Sequence, residues 1–214
     1  AGRGLFGLFS ELIVRDVRLA LACIRRRPNV LVGFGGVAAS HVGTLLRIPV
    51  LVFYDSEHAT LQNSLSYPFV TRLFVPESYV GPTPKRKTRR FPGTKECSYL
   101  DPKSFKPETN ELLEFGFDPS KKTVLFRLVE WRANHDIGFQ GMTDGEVRRI
   151  IDLLPANTQI FISSERSIHT DLEVYRWQGP PLSFHHLVAN ADLVISESAT
   201  VCQESSILST TNFY

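Results

Sequence analysis

The chain has 214 residues, 43% of them hydrophobic and 21% charged, with 24 basic and 22 acidic side chains giving a net charge of +2. That composition excludes a globally disordered chain, and the near-balance of charge gives no whole-protein attraction to nucleic acid or to a membrane. The length suffices for one large domain or two small ones.

The opening AGRGLFGLF is too short and too glycine-rich for a secretory leader, and no run reaches the ~18 apolar residues of a membrane span. Ser10 is placed to cap a helix running to about Arg27, with Ile13, Val17, Ala20, Leu21 and Ile24 on one face. Arg25, Arg26 and Arg27 fall in its last turn, where cations favour the helix dipole. The same cluster leaves peripheral membrane contact open. Strand 30–33, helix 36–46 and strand 49–54 follow, a βαβ unit whose two apolar runs imply parallel strands buried on both faces. Ligands of such sheets sit at the carboxyl ends of the strands. Gly33, Gly35 and Gly36 follow the first strand, and Asp55, Glu57 and His58 follow the second.

Another strand is expected near 71–75, stopped by Pro76. The stretch from Gly81 to Gly93, with Lys85, Arg86, Lys87, Arg89 and Arg90, reads as a solvated loop. A short helix over Glu108–Phe115 closes at Gly116, and Asp118, Pro119 and Ser120 form a turn. Segment 106–122 is therefore the expected linker between an N-terminal domain (1–105) and a C-terminal nucleotide-binding domain (123–214). Strand 123–129 then leads into a polar loop holding Glu130, Trp131, His135, Asp136 and Gly138. Thr143 and Glu146 form a capping box ahead of an amphipathic helix. Strand 158–162 ends in Ser163, Ser164, Glu165 and Arg166, and a helix near 183–190, a strand 192–195 and a helix from Thr200 to Leu208 complete the pattern. The chain starts on a helix without a preceding strand and stops on a strand just beginning. At ~150 residues per domain, two such domains imply sequence beyond both ends.

Two ligand readings stay open at this level. Gly33, Gly35 and Ala38 match G-x-G-x-x-A with Asp55 about 20 residues on, as in dinucleotide-binding turns, which would make the chain an NAD-dependent oxidoreductase. Alternatively, Gly35 and Gly36 of the first domain and Ser196 to Thr200 of the second offer backbone N–H groups to phosphate across a cleft, with Asp55, Glu57, Glu130, Asp136, His58 and His135 at strand ends as acid–base groups. His41, His185 and His186 lie in helical segments and read as packed or exposed. Cys23, Cys97 and Cys202 are odd in number and far apart, which fits neither a disulfide framework nor a zinc site and points to a reducing compartment, the cytoplasm.

Successive blocks carry a more specific signal: GFGGVAASHVGTLLRIPVLVFYDSEHA, KECSYLDPKSFKP, FRLVEWRANHD, FISSER and ADLVISESATVCQES. In this order they resemble an archaeal and bacterial family known only as a domain of unknown function. That family is similar to the UDP-N-acetylglucosamine 2-epimerases and, more distantly, to MurG-type glycosyltransferases. The resemblance implies an α/β, GT-B-like fold of two Rossmann-like domains with parallel sheets, incomplete at both ends. It also implies a UDP-type nucleotide sugar as partner and a role in surface polysaccharide or glycolipid synthesis; no nucleic acid partner is expected from the charge balance, no metal from the His, Cys and Asp spacing, and no cofactor.

On the matching positions it implies that Ser196, Ser198 and Thr200 hold the diphosphate and that Glu204 binds the ribose. Gly35, Gly36, Asp55, Arg127, Glu130, Ser164 and Glu165 complete the substrate set, and Glu57 and Asp136 carry catalysis with His58 or His135 as substitutes. Glycine and aspartate are more usual where this chain has Ser196, Glu197 and Ser198, and the His-Val-Glu-Ala-Gly motif of the epimerases is not reproduced. A non-catalytic nucleotide-binding module is the remaining alternative.

Overall fold

The computed structural model describes residues 5–130 and 141–214. The chain divides into two compact units, Ala1–Lys95 and Glu96–Tyr214. In the first unit the elements run α1 (Leu5–Arg26), β1 (Leu31–Phe34), α2 (Val37–Leu46), β2 (Val50–Phe53), α3 (Thr60–Ser66), β3 (Arg72–Pro76) and β4 (Thr88–Phe91). Its sheet has the order β1-β2-β3-β4, every pair parallel. Val50 and Val52 of β2 and Leu73 and Val75 of β3 share a core with Tyr54, Tyr67, Val70 and Tyr79. On the opposite face Val32, Phe34 and Phe53 are exposed, and Phe53 stacks on Phe74 at 4.8 Å.

The glycine turn after β1 is a steric necessity. Gly35 has φ +68° and Gly36, the N-cap of α2, has φ +32°. A Cβ on Gly35 would lie 2.2 Å from Gln62 Nε2, and one on Gly33 would lie 3.3 Å from Gly36 Cα. Only glycine reaches this conformation without strain.

Two expectations for this unit need correction. Ser10 does not cap α1: it lies inside the helix, and its hydroxyl donates to the Gly7 carbonyl at 2.9 Å. The basic stretch 81–93 is not wholly a loop, since Thr88–Phe91 form β4 beside β3. An edge strand tolerates charges because one side faces water. Arg90 also donates to the carbonyls of Pro76, Glu77 and Tyr79, which ties down the loop beyond β3.

The second unit contains α4 (Cys97–Leu100), α5 (Asn110–Leu113), β5 (Thr123–Leu128), α6 (Asp144–Leu153), β6 (Gln159–Ser164), α7 (Phe184–Asn190), β7 (Leu193–Ser196), α8 (Ala199–Ile207) and β8 (Thr211–Phe213). The sheet order is β6-β5-β7-β8, again all parallel. Alternate residues of β5 feed two cores. Leu125 packs with Leu112, Phe117, Phe161, Leu187 and Val194, while Val124, Phe126 and Leu128 pack with Val147 and Ile162. Burial on both faces explains the continuous apolar run Val124–Phe126 in β5. The capping box at the start of α6 is present, with Glu146 N–H donating to Thr143 Oγ1 and Thr143 N–H to Glu146 Oε2.

Segment 106–122, expected as a linker, belongs to this unit. Leu112 and Phe117 are buried in its core, Glu108 N–H donates to His186 Nδ1 at 2.9 Å, and Asp118 N–H donates to Gln159 Oε1. Gly116 and Pro119 mark turns between packed pieces, not a boundary.

Candidate functional site

In the second unit the chain leaves β5, forms β6 on one side of it, and returns to form β7 on the other. The strand order thus reverses between β5 and β7, and the carboxyl ends of those strands are where open parallel sheets bind ligands. Glu165 N–H donates to Leu128 O, and Glu197 N–H to Arg127 O, continuing the ladders just past the strand ends.

Arg127, near the end of β5, is a cation at this edge. It donates to Ser163 Oγ at 2.8 Å and pairs with Glu165, and its guanidinium lies over the Phe184 ring at 5.9 Å. Glu130 is exposed, and its N–H approaches Glu165 Oε2 at 3.4 Å. Ser164 turns back on its own loop, donating to Arg166 O and accepting from Arg166 N–H.

The loop after β7 is also tightly bonded. Ser196 Oγ accepts from Ser198 N–H at 2.9 Å, and Ser198 Oγ caps α8 by accepting from Val201 N–H. Thr200 is exposed in the first turn of α8. The Glu197 carboxylate accepts from Val129 N–H at 2.8 Å and from Met142 N–H. One side chain therefore holds both flanks of segment 130–141 to the end of β7.

Glu204, on α8, is 6% exposed. Its Oε1 accepts from Tyr99 OH at 2.7 Å and lies 3.1 Å from His185 Nε2. Burial and the bond to Glu204 push the Tyr99 phenol well above its ordinary range, so it stays a donor. Tyr99 and His185 were not on the expected ligand-binding list. No local spacing could have found them, because Tyr99 and Glu204 are 105 positions apart.

In the first unit, Asp55 pairs with Lys95 at 2.6 Å, and Lys95 Nζ lies 5.5 Å above the Phe34 ring. Glu57 Oε1 accepts from Val80 N–H at 2.6 Å, and His58 is exposed. Gly35 N–H donates to Phe53 O, so it is committed to the sheet edge. His135 and Asp136 lie outside the described residues.

The other histidines are bonded within their own units. His41 contacts Asp16 through Nδ1 and Leu65 O through Nε2. His186 Nδ1 accepts from Glu108 N–H, which puts the ring proton on Nε2, 3.5 Å from Glu111.

Among the described residues no group of three or more His, Cys, Asp and Glu is placed to hold a metal ion, and no helix is long and apolar enough to cross a membrane. A cavity of about 270 Å³ lined by Phe117, Lys122, Asn190 and Asp192 sits at the amino ends of β5 and β7, opposite the switch-point edge.

Among solved structures, the chain is similar to UDP-N-acetylglucosamine 2-epimerase from Rickettsia bellii, with 12% identity, TM-score 0.68, and coverage of 99% of this chain and 62% of that one. It is similar to the UDP-GlcNAc 2-epimerase of Methanocaldococcus jannaschii in complex with UDP-GlcNAc and UDP, with 16% identity, TM-score 0.64, and coverage of 99% and 66%. These similarities show the fold: α/β and GT-B-like, with two parallel four-stranded sheets. An uncharacterised M. jannaschii protein is 24% identical over 194 residues, which is 85% of this chain and 55% of that protein. The chain thus spans little more than half the length of this curated relative. The profile of the family described as "Protein of unknown function (DUF354)" matches residues 8–213, and the chain belongs to that family.

Proposed function

We propose that the protein is a nucleotide-sugar enzyme, a UDP-sugar 2-epimerase or a glycosyltransferase, that binds its nucleotide at the carboxyl ends of β5 and β7. The observation that carries this reading is the strand-order reversal at that edge, with α8 starting there and Glu204 one turn further along it. The neighbour solved with UDP-GlcNAc and UDP supports the choice of nucleotide. In this reading Ser198 and Thr200 contact the diphosphate, Arg127 neutralises it, and Glu204 accepts from the ribose.

Proton transfer is assigned to Glu57 and Asp136, with His58 or His135 as substitutes. Epimerisation by elimination removes a proton from sugar C2 and expels UDP from the anomeric carbon; UDP then adds back to the same face of C1 while the proton returns to the other face of C2. Transfer instead needs one base to activate an acceptor hydroxyl. The product of either reaction would enter surface polysaccharide or glycolipid synthesis in the cytoplasm.

Calorimetric titration of the intact protein with UDP, UDP-GlcNAc and NAD tests the reading. UDP and UDP-GlcNAc should bind, and Glu204→Ala should weaken them by about 1.5–3 kcal/mol, the contribution of a charge-assisted hydrogen bond. Tight NAD binding without nucleotide-sugar binding would replace this reading with the oxidoreductase one. With UDP-GlcNAc in deuterated water, label at C2 identifies epimerisation. Glu57→Gln should cut turnover by ~10²–10⁴ while leaving nucleotide affinity intact.

A further inference from the structure

We propose that Arg90 and Gly81 are positioning residues: they fix the loop after β3 so that the Val80 N–H holds the Glu57 carboxylate in the orientation from which it moves a proton. The proposal rests on the reading above that Glu57 carries proton transfer.

Glu57 follows β2, and its carboxylate accepts from Val80 N–H at 2.6 Å across 23 positions of chain. The Val80 side chain is 84% exposed, so what residue 80 supplies here is its backbone donor. A charge-assisted bond orients a carboxylate only as well as the donor is itself held. Exposed loop backbone is not held by its own sequence.

Three contacts hold it. Tyr79 is 3% exposed and plants its ring in the core of the first sheet, where its hydroxyl lies 3.0 Å from the Tyr67 hydroxyl and accepts from Asn63 Nδ2 at 3.4 Å. Arg90, on β4, gathers the backbone around that anchor. Its Nη1 donates to the carbonyls of Pro76 at 3.2 Å, Glu77 at 2.9 Å and Tyr79 at 2.6 Å. The Tyr79 carbonyl and the Val80 N–H belong to one peptide unit. Because that unit is planar and trans, fixing its oxygen fixes the direction of the N–H on the opposite side, and a cation on the oxygen also polarises the N–H as a donor. Arg90 therefore aims and strengthens the bond that Glu57 receives. On the far side of Val80, Gly81 passes so close to Tyr79 that a Cβ would lie 2.7 Å from its hydroxyl oxygen and 2.8 Å from ring carbons. A side chain at 81 would push the loop, and the Val80 N–H with it, away from Glu57.

The test measures kcat and KM for UDP-GlcNAc with the intact protein, its Arg90→Ala, Arg90→Lys, Gly81→Ala and Glu57→Gln variants, and Arg90→Ala combined with Glu57→Gln. Arg90→Ala and Gly81→Ala should each cut kcat by about 10–100-fold, as a displacement on the order of 1 Å at a reacting group does, with KM within about threefold of wild type. Arg90→Lys keeps a cationic donor and should lie closer to wild type than Arg90→Ala. In the Glu57→Gln background Arg90→Ala should cost less than about twofold more, because a side chain that no longer transfers a proton leaves nothing to position. Hydrogen exchange supplies a readout besides activity. The Val80 amide should exchange faster in Arg90→Ala and Gly81→Ala, while the amides of β2 and β3 keep their protection and show that the fold is kept. Wild-type kcat in both variants would overturn the positioning role while leaving Glu57 in place, and so would unchanged exchange at Val80. An Arg90→Ala loss that persists in full beside Glu57→Gln would overturn it as a general structural effect. Glu57→Gln at wild-type turnover, or an intact protein that does not turn over UDP-GlcNAc, would mean that the underlying proton-transfer reading has failed, and the proposal falls with it.

Discussion

Glu197 is the side chain whose loss should be felt most widely at the switch-point edge. Replacing it with alanine removes the acceptor of Val129 N–H, 2.8 Å away, and of Met142 N–H. Each charge-assisted bond contributes about 1.5–3 kcal/mol, and water can replace part of both at this partly exposed edge, so a net loss of about 2–4 kcal/mol is expected. For a chain of this length roughly 2–4 °C of melting temperature accompanies each kcal/mol, giving a fall of about 5–15 °C. Glu197→Gln keeps one acceptor oxygen but turns an N–H₂ toward the other amide, so it should fall between wild type and alanine.

Because the chain has two compact units, calorimetry alone does not say which transition moved. Hydrogen exchange read amide by amide does. Val129 and Met142 should lose protection in Glu197→Ala, while the amides of β2 and β3 in the first unit keep theirs. Unchanged protection at both Val129 and Met142, with a melting shift below about 1 °C, would refute the reasoning.

Thr143→Ala removes the capping box of α6 and should cost about 1 kcal/mol, or roughly 2–4 °C in the melting transition of the second unit. Gly43→Ala tests packing against helix propensity. Alanine should gain up to about 1 kcal/mol in a helix, but its Cβ would lie 2.0 Å from Val50 Cγ2 and 2.9 Å from Ile48 O, so overpacking of about 1–3 kcal/mol wins and the first unit should melt earlier. Asp192 gives a pH signature. Its carboxyl is held below the ordinary range by Lys122 and by the Thr123 N–H, so the stability it contributes is complete above the unfolded value near 3.9 and is lost as pH falls through the lower folded value. Asp192→Asn should accordingly lower the melting temperature at pH 6 and leave it close to wild type at pH 2, as followed by circular dichroism.

Much of the fold was legible because it is encoded over short distances. The glycine turn between β1 and α2, the capping box of α6 and the apolar runs of β2, β5 and β7 each depend on neighbours within a few residues. Backbone sterics and side-chain periodicity therefore reveal them. Where local composition was ambiguous, tertiary contacts decided. The arginines of β4 resemble a solvated loop until pairing with β3 shows an edge strand. Gly116 and Pro119 resemble a linker until Leu112 and Phe117 are seen buried beside β5 and α7.

The site divides in the same way. Sequence blocks pointed to the loop after β7 and to Glu204, because a strand, a small-residue turn and a helix follow one another along the chain. That β6 and β7 lie on opposite sides of β5 has no local signature, since either order uses the same strands and helices. The partners of the two carboxylates are long-range too: Glu197 reaches Val129 across 68 positions, and Glu204 reaches Tyr99 across 105. A hydrogen bond is decided by ångströms in space, and one-dimensional spacing carries that information only within a helix turn or a strand pair. By itself the sequence determined the locally encoded strands and helices and which strand ends carry polar groups. Only the tertiary structure determined which of those groups meet.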